Sequence, residues 1–352
     1  PAGKAVTRDY LWLRQMPCSN CQLNIPLSTN FHIVNKKGKP EAALAAFPEV
    51  PLPGQGNDCT FRIVKRKEWQ DCHWPRPGFE GWHPRNTPTF KGGDAICPRC
   101  GNVVDGEEVK QFARSRPGGL PAQMYAVCSQ VPVKLTYTNG EEKVRFLWRF
   151  RAPSRADLAA ARAAEEELDR RLPAWEAAGL VPNEEIPEEM EDKRPREYGM
   201  SRWRDLFLPR QLLTNLTVLD EIRNAQAQAR AELPPDEAEA VSVYLAFILS
   251  KVVNYNSVNT FWDYTRNKGA QTFSRHDFAF RSAFTEFEGA RETVLWGASQ
   301  VIGAYQELAG LIHGQRVEPG GEDDEDQHED EEAQADIEID EGEEEVEKDA
   351  ES

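Results

Sequence analysis

Two short cysteine pairs, Cys18-Ser-Asn-Cys21 and Cys97-Pro-Arg-Cys100, are the residues whose type and spacing point most directly to chemistry. A Cys-x-x-Cys turn sets two thiolates on one side of the backbone, where its N–H groups can hydrogen-bond the sulfurs. Two such turns supply the four ligands of a tetrahedral ion, so Cys18, Cys21, Cys97 and Cys100 are the expected ligands of a structural zinc. Four reduced thiols packed in a core are the alternative. Gly101 follows the second pair, as a tight knuckle turn favours, whereas Gln22 follows the first. The 75 residues between the pairs are long for a zinc ribbon and imply a loop-bearing insertion. Cys72-His73 and His83 could add ligands, but one Cys-His step among tryptophans and prolines reads as ordinary loop chemistry. Cys59 and Cys128 lie in or beside predicted strands and read as small apolar residues.

The elements that must bring the pairs together read as β-rich over residues 10–150. Thr60–Val64 has the composition of a short strand. Val131–Tyr137 faces Val144–Phe150 across Asn139-Gly140, two residues that tolerate the positive φ of a primed hairpin turn. Residues 66–93 are crowded with Trp, Pro, Gly and His, show no period, and read as a long irregular loop on the zinc knuckles. Ser154 can cap a helix over Ala156–Leu172, and Pro173 opens a further short turn. Residues 180–197, rich in proline and acids, read as a linker.

From Tyr198 to Gly314 the pattern is helical. Leu212, Leu213, Leu216, Leu219 and Ile222 recur at spacings of three and four within Pro209–Leu233. A second helix begins near Pro235 and runs through Val252. A third runs from about Arg291 to Ile312 and stops at Gly314. Trp262, Phe273, Phe278, Phe280, Phe284 and Phe287 are expected to fill the core where these helices meet. The expected fold class is α+β, in four parts: a β-rich zinc-ribbon region (1–152), a charged helix with a Pro-rich linker (153–197), an all-helical region (198–316) and a disordered acidic tail (317–352).

Charge is distributed unevenly along the 352 residues, whose formal net charge is −17. Val317–Ser352 holds 20 Asp or Glu and one Lys, a net −19, so residues 1–316 stand at +2. Residues 1–150 carry 21 Lys or Arg against 13 Asp or Glu, a balance of +8, while 151–316 balance at −6. The basic half is the cysteine half, which suits nucleic-acid contact. The tail has too few apolar residues to repay its ordering entropy. Seven cysteines, four of them at metal spacing, imply a reducing, cytoplasmic location. No stretch approaches the roughly 20 apolar residues of a bilayer span, so no membrane contact is expected. The start, Pro1-Ala-Gly-Lys4, has neither a signal-peptide core nor an initiator Met and reads as the start of an excerpt or processed product.

Catalytic motifs are absent: there is no phosphate-cradling G-x-x-x-x-G-K-[ST], no G-x-G-x-x-G, no G-x-S-x-G and no H-E-x-x-H. Leu233-Pro-Pro-Asp236 lacks the acid before and the aromatic after that an amino-methyltransferase needs, and it sits at a helix start. No residue is assigned a catalytic role. Arg202, Trp203, Arg204 and Arg210, with the basic run Lys65-Arg66-Lys67, are the candidates for DNA contact through phosphate gripping or base stacking. The Arg202–Arg210 group reads equally as a helix start fixed by packing, with Asp205 paired to an arginine.

Several motifs occur in a telling order: Tyr10-Leu-Trp-Leu-Arg14 before Cys18-Ser-Asn-Cys21, then Ile25-Pro-Leu27, Cys97-Pro-Arg-Cys-Gly101, Tyr198-Gly-Met200, Asp205-Leu-Phe207, Arg210-Gln-Leu212, Asn254-Tyr-Asn-Ser257 and Trp262. Over about residues 8–312 this order resembles a bacterial and archaeal family of adenine-specific DNA methylases that carry an N-terminal domain of unknown function. The resemblance implies the zinc-bearing middle of such an enzyme, of a restriction-modification or host-defence type. In that family a glycine-rich S-adenosylmethionine loop precedes this region and an Asp-Pro-Pro-Tyr segment follows it. Neither is present here, so S-adenosylmethionine would belong only to the complete enzyme, and the remaining methyltransferase portion would be a partner beside DNA. Gln22, where the family has Gly, and the acidic tail depart from its pattern. The competing expectation is a zinc-dependent protein-interaction module whose acidic tail docks a basic partner.

Overall fold

Tyr10-Leu-Trp-Leu-Arg14 alternates so that successive side chains serve opposite faces of a strand, and it forms the middle of β1 (Val6–Pro17). In the computed structural model, which describes residues 4–136, 142–189, 192–274, 280–314 and 337–339, Leu11 and Leu13 enter one hydrophobic cluster while Trp12 and Met16 enter another. The sheet around β1 is thus a middle layer with a core on each face.

Strand order in that sheet is β13 (Ala283–Phe287), β1, β9 (Ala122–Thr136), β10 (Glu142–Arg151) and β14 (Ile337–Ile339), with β2 (Asn24–Leu27) also paired to β1. β9 (Ala122–Thr136) and β10 (Glu142–Arg151) are antiparallel, with Val131 opposite Leu147 and Lys134 opposite Val144, as the hairpin reading requires. Its turn residues Asn139 and Gly140 lie outside the described residues.

One face of the sheet meets a three-stranded sheet of β3 (His32–Val34), β4 (Leu44–Glu49) and β5 (Thr60–Lys65). Trp69, Trp74 and Trp82 are buried in this same cluster. Most of the irregular 66–93 segment therefore seals the β3–β5 side, because three large rings gain more from that core than from a small metal turn, while Arg76 beside Gly101 and Phe90–Lys91 paired to Asp94–Ala95 keep the segment in touch with the second knuckle. The other face meets β6 (Phe90–Lys91), β7 (Asp94–Ile96) and β8 (Val103–Val104), together with α1 (Gly106–Arg114), which Asp105 caps by accepting from the Glu107 N–H.

Ser154 caps α2 (Arg155–Ala177) in a reciprocal capping box with Asp157. Pro173 lies inside α2 and opens no new turn. Leu168 and Trp175, on either side of it, are both buried against Leu212 and Leu216, so packing holds the helix through the proline. The linker expectation for 180–197 also needs correction: Leu180 and Val181 join that cluster, Ile186 is buried, and Arg196 donates to the Ile186 carbonyl. A four-residue turn, α3 (Arg194–Glu197), follows.

The all-helical expectation for 198–316 holds only for α4 (Pro209–Glu232), α5 (Pro235–Tyr255) and α6 (Glu292–Ile312). Between α5 and α6 lie β11 (Phe261–Asp263), β12 (Lys268–Ala270) and β13 (Ala283–Phe287). β13 pairs antiparallel with β1, Trp12 facing Phe284, and so completes the N-terminal sheet. Trp262 and Phe284 serve the two sheet cores and not a helix junction, Phe273 is 63% exposed, and Phe278 is outside the described residues. Part of the acidic tail is also ordered: β14 (Ile337–Ile339) pairs parallel with β10, setting Ile337 opposite Trp148. The rest of 317–352 lies outside the described residues.

α5 corrects the statement that no segment could span a bilayer, since an 18-residue window of it reaches a mean hydropathy of 1.2 and only 11% of that window is buried. Length and composition alone carry that observation. Val243 and Phe247 on α5 and Leu295, Leu308, Leu311 and Ile312 on α6 are all exposed, so the two helices present an apolar surface.

Candidate metal centre and basic surface

Each cysteine pair sits in a hairpin turn. The first lies between β1 and β2, closed by Cys18 N–H donating to Leu23 O at 2.7 Å; the second lies between β7 and β8, closed by Cys97 N–H to Asn102 O at 2.9 Å. In both, the residue after the second Cys returns its N–H to the first Cys carbonyl, Gln22 to Cys18 and Gly101 to Cys97, each at 2.9 Å. That geometry needs a positive φ, which is 77° at Gly101 and 60° at Gln22. A non-glycine residue pays a steric penalty there, and Gln22 offsets part of it by donating its side-chain amide to Cys18 O at 3.2 Å.

The four sulfurs converge. Cys18 Sγ is 3.7 Å from Cys100 Sγ, Cys21 Sγ is 3.6 Å from Cys97 Sγ, and all four lie within 4.8 Å of one another. Zinc–sulfur bonds of about 2.3 Å at tetrahedral angles place sulfurs about 3.8 Å apart, so the donor set fits one zinc-sized ion. No other group of three or more potential ligands occurs among the described residues. Cys18 and Cys97 are buried while Cys21 and Cys100 are half-buried. Burial pushes the Cys97 and Cys21 thiols up. At Cys100 burial is outweighed by hydrogen bonds from the Asn102 backbone and the Asn20 side chain, with Cys21 and Cys97 adding to them, which bring its thiol down to about 7.

Two residues beside the cysteines complete the centre. Asn102 Nδ2 reaches Cys18 Sγ at 3.8 Å and Ser19 Oγ at 3.3 Å, joining one knuckle to the other. Arg99 is buried and donates to Cys21 O, Pro51 O and Gly56 O, pinning the 51–57 loop against the knuckles. Sequence reading missed both roles. The only signal was their place within or next to the second pair.

Cys59 and Cys128 are fully buried in the hydrophobic clusters, and burial raises the Cys59 thiol to about 12. Cys72 is buried with its Sγ on Glu68 O at 3.4 Å, and His83 Nδ1 accepts from the Arg85 and Asn86 N–H groups.

The expected DNA contacts divide. Arg210 is corrected: its guanidinium grips Glu286 bidentately at 2.6 and 2.9 Å and lies 3.8 Å from the Tyr10 ring centroid, with Glu286 almost fully buried. Trp12 Nε1 donates to the same carboxylate at 2.9 Å. Arg202 donates to Asn183 O, Arg204 pairs with Glu176 at 2.9 Å, and Trp203 packs at the edge of the zinc-side core. Asp205 caps the Ser201 and Arg202 N–H groups and, among the described residues, pairs with no arginine side chain. The Arg202–Arg210 group thus fastens α2 and α4 to the sheet.

Lys65, Arg66 and Lys67 are exposed, and Arg66 lies over Trp69 at 5.9 Å. The turn Arg66–Asp71 packs beside the turn Pro40–Ala42, with Arg66 N–H on Ala43 O, which brings exposed Lys37 and Lys39 to the same side. Among the described residues none of these five cations pairs with a carboxylate. They form the free basic cluster of the N-terminal half.

Comparison with family models, with curated proteins and with solved structures finds no match for this chain.

Proposed function

We propose that this chain is the zinc-binding, DNA-contacting portion of an adenine-specific DNA methyltransferase, supplying a scaffold and phosphate contacts while the remaining portion supplies S-adenosylmethionine chemistry. The observation that carries DNA contact is the exposed cluster of Lys37, Lys39, Lys65, Arg66 and Lys67, none of which pairs with a carboxylate among the described residues. Four sulfurs joining two distant hairpins would fix those hairpins, and so the scaffold, with metal-binding free energy that the unfolded chain cannot use.

The motifs behind the resemblance support it as well, because they make the fold's long-range contacts. Arg14 donates to Met200 Sδ and Leu120 O, Trp262 Nε1 donates to Ile33 O, and Arg210 holds Glu286. Gly199, at φ 80°, sits so close to Ala113 O and Gly119 Cα that a side chain there would collide with backbone.

Fluorescence anisotropy on labelled duplex DNA tests the reading. Affinity should fall steeply between about 50 and 200 mM salt, and the triple variant Lys65→Ala, Arg66→Ala, Lys67→Ala should flatten that dependence by about 2.7 in log–log slope. Removing 317–352 should tighten binding by withdrawing a competing polyanion. No duplex affinity at the lower salt, or a triple variant that binds as well as the parent, would overturn DNA contact.

The exposed apolar surface of α5 and α6 favours a second reading, a protein-interaction module. In the methyltransferase reading the same surface receives the catalytic portion. Capture of a protein partner by a chain with no DNA affinity would select the second.

A further inference from the structure

A cavity of about 510 Å³ opens between the start of β3 and the β11–β13 segment, away from the cysteines. Its size falls within the range of small-molecule sites. Phe261, Trp262 and Tyr264 line it from β11 and the turn after it, facing Tyr125, Phe280 and Phe284. Phe261, Tyr264 and Phe280 are only half-buried, so their rings meet the open space. Arg85 and Arg281 supply two positive charges, and among the described residues no Asp or Glu lines the cavity.

Its polar rim is preorganised. Asn30 Oδ1 accepts from the His32 backbone N–H at 3.1 Å and from His32 Nδ1 at 2.6 Å, which fixes the amide's orientation and places the imidazole proton on Nδ1. Nε2 is left as an acceptor. Burial, aided by His83, Arg85 and Arg66, pushes His32 down to about 4, so the ring is neutral at physiological pH. Tyr264 stacks on His32 with centroids 5.5 Å apart and planes at 26°, while Arg281 lies 4.6 Å from the Phe261 ring centroid. Arg85 is exposed and pairs with no carboxylate among the described residues.

Aromatic walls with cations, and no acid among the described lining residues, select a planar, aromatic anion. We propose that this cavity is a binding site for one nucleotide unit, its base against the Phe261 and Tyr264 rings and its phosphate on Arg85. Base stacking on aromatic side chains gives affinity without strict base choice, and an arginine recognises phosphate through charge-assisted bonds. The unit can be a free mononucleotide or an unpaired nucleotide of a strand. Duplex contact through Lys65, Arg66 and Lys67 is not required, so the two ideas fail separately.

The test is a calorimetric titration of the full chain with 2′-deoxyadenosine 5′-monophosphate, deoxyadenosine and ribose 5-phosphate. The monophosphate should bind about tenfold or more tightly than either half. Arg85→Ala should reduce monophosphate affinity to that of deoxyadenosine and leave deoxyadenosine unchanged. Tyr264→Ala should weaken both, and Tyr264→Phe should restore both, with unchanged metal content showing that each variant folds. An oligonucleotide carrying one unpaired adenine, run against its fully paired counterpart, separates the two sources. No heat with the monophosphate at millimolar concentration would overturn the site. So would ribose 5-phosphate binding as tightly as the monophosphate, or Arg85→Ala binding it as the parent does.

Discussion

The sheet around β1 and the α5–α6 pair invert the usual placement of polar and apolar groups. The sheet buries Asp9, Arg14 and Glu286, while α5 and α6 expose Phe247, Leu308, Leu311 and Ile312 to water. The buried charges join segments far apart in sequence: Glu286 of β13 receives Trp12 of β1 and Arg210 of α4, and Arg14 reaches Leu120 and Met200. Of the exposed apolar residues, Phe247 meets only the Tyr244 ring of its own helix in any ring contact among the described residues. Buried charge here marks where the chain closes on itself, and exposed hydrocarbon marks a face that the chain leaves uncovered among its described residues.

The largest expected loss comes from breaking the first kind of contact. Glu286→Gln should destabilise the fold by about 3–5 kcal/mol by leaving the Arg210 guanidinium buried and unpaired, read as a lowered urea midpoint at constant slope. An Arg210→Met, Glu286→Leu double variant should recover much of that loss; a double variant as unstable as the single one would remove the ion-pair explanation.

Asp9 gives a pH signature. Burial is the main cause of its rise to about 7, against Arg8 and the Thr285 hydroxyl, which lower it. An acid whose folded pKa exceeds its unfolded value loses stability as pH climbs between the two, here from about 4 to about 7, and is flat above. The loss amounts to at most about 4 kcal/mol. Asp9→Asn should abolish that slope, so the stability gap between parent and variant should widen markedly between pH 5 and pH 8. Parallel curves would show that Asp9 does not titrate in this window.

Smaller effects compare the two knuckles and then the helical face. Gly101→Ala should cost about 1 kcal/mol, because an added Cβ meets only Arg76 Cδ at an ordinary 3.8 Å and the penalty is purely conformational. Leu308→Ser should change chain stability by less than about 0.5 kcal/mol, yet reduce self-association seen by analytical ultracentrifugation if the face is sticky when uncovered. A large stability loss would mean that Leu308 is packed after all.

Local chemistry was legible in the sequence where it is set by neighbouring residues. Cys-x-x-Cys turns, the Ser154 cap, Pro209 and Pro235 at helix starts and the β9–β10 hairpin all depend on residues a few positions apart. Long-range pairing was not. β13 hides behind Thr285-Glu286: Thr285 is stable inside because its hydroxyl donates to Asp9, and Glu286 because Arg210 and Trp12, more than 70 residues away, are brought to it. The same partner made Arg210 look like a surface cation. The 180–197 segment read as a linker because Leu180, Val181 and Ile186 have no period, since they dock into different cores one at a time.

The cysteine centre brings both knuckles together, and its fit to one zinc-sized ion can be tested by counting metal directly. Elemental analysis of the purified chain should give one zinc per chain, with Cys97→Ser losing it and chelation unfolding the N-terminal half. A metal-free chain that keeps its unfolding transition unchanged in the presence of chelator would contradict the account.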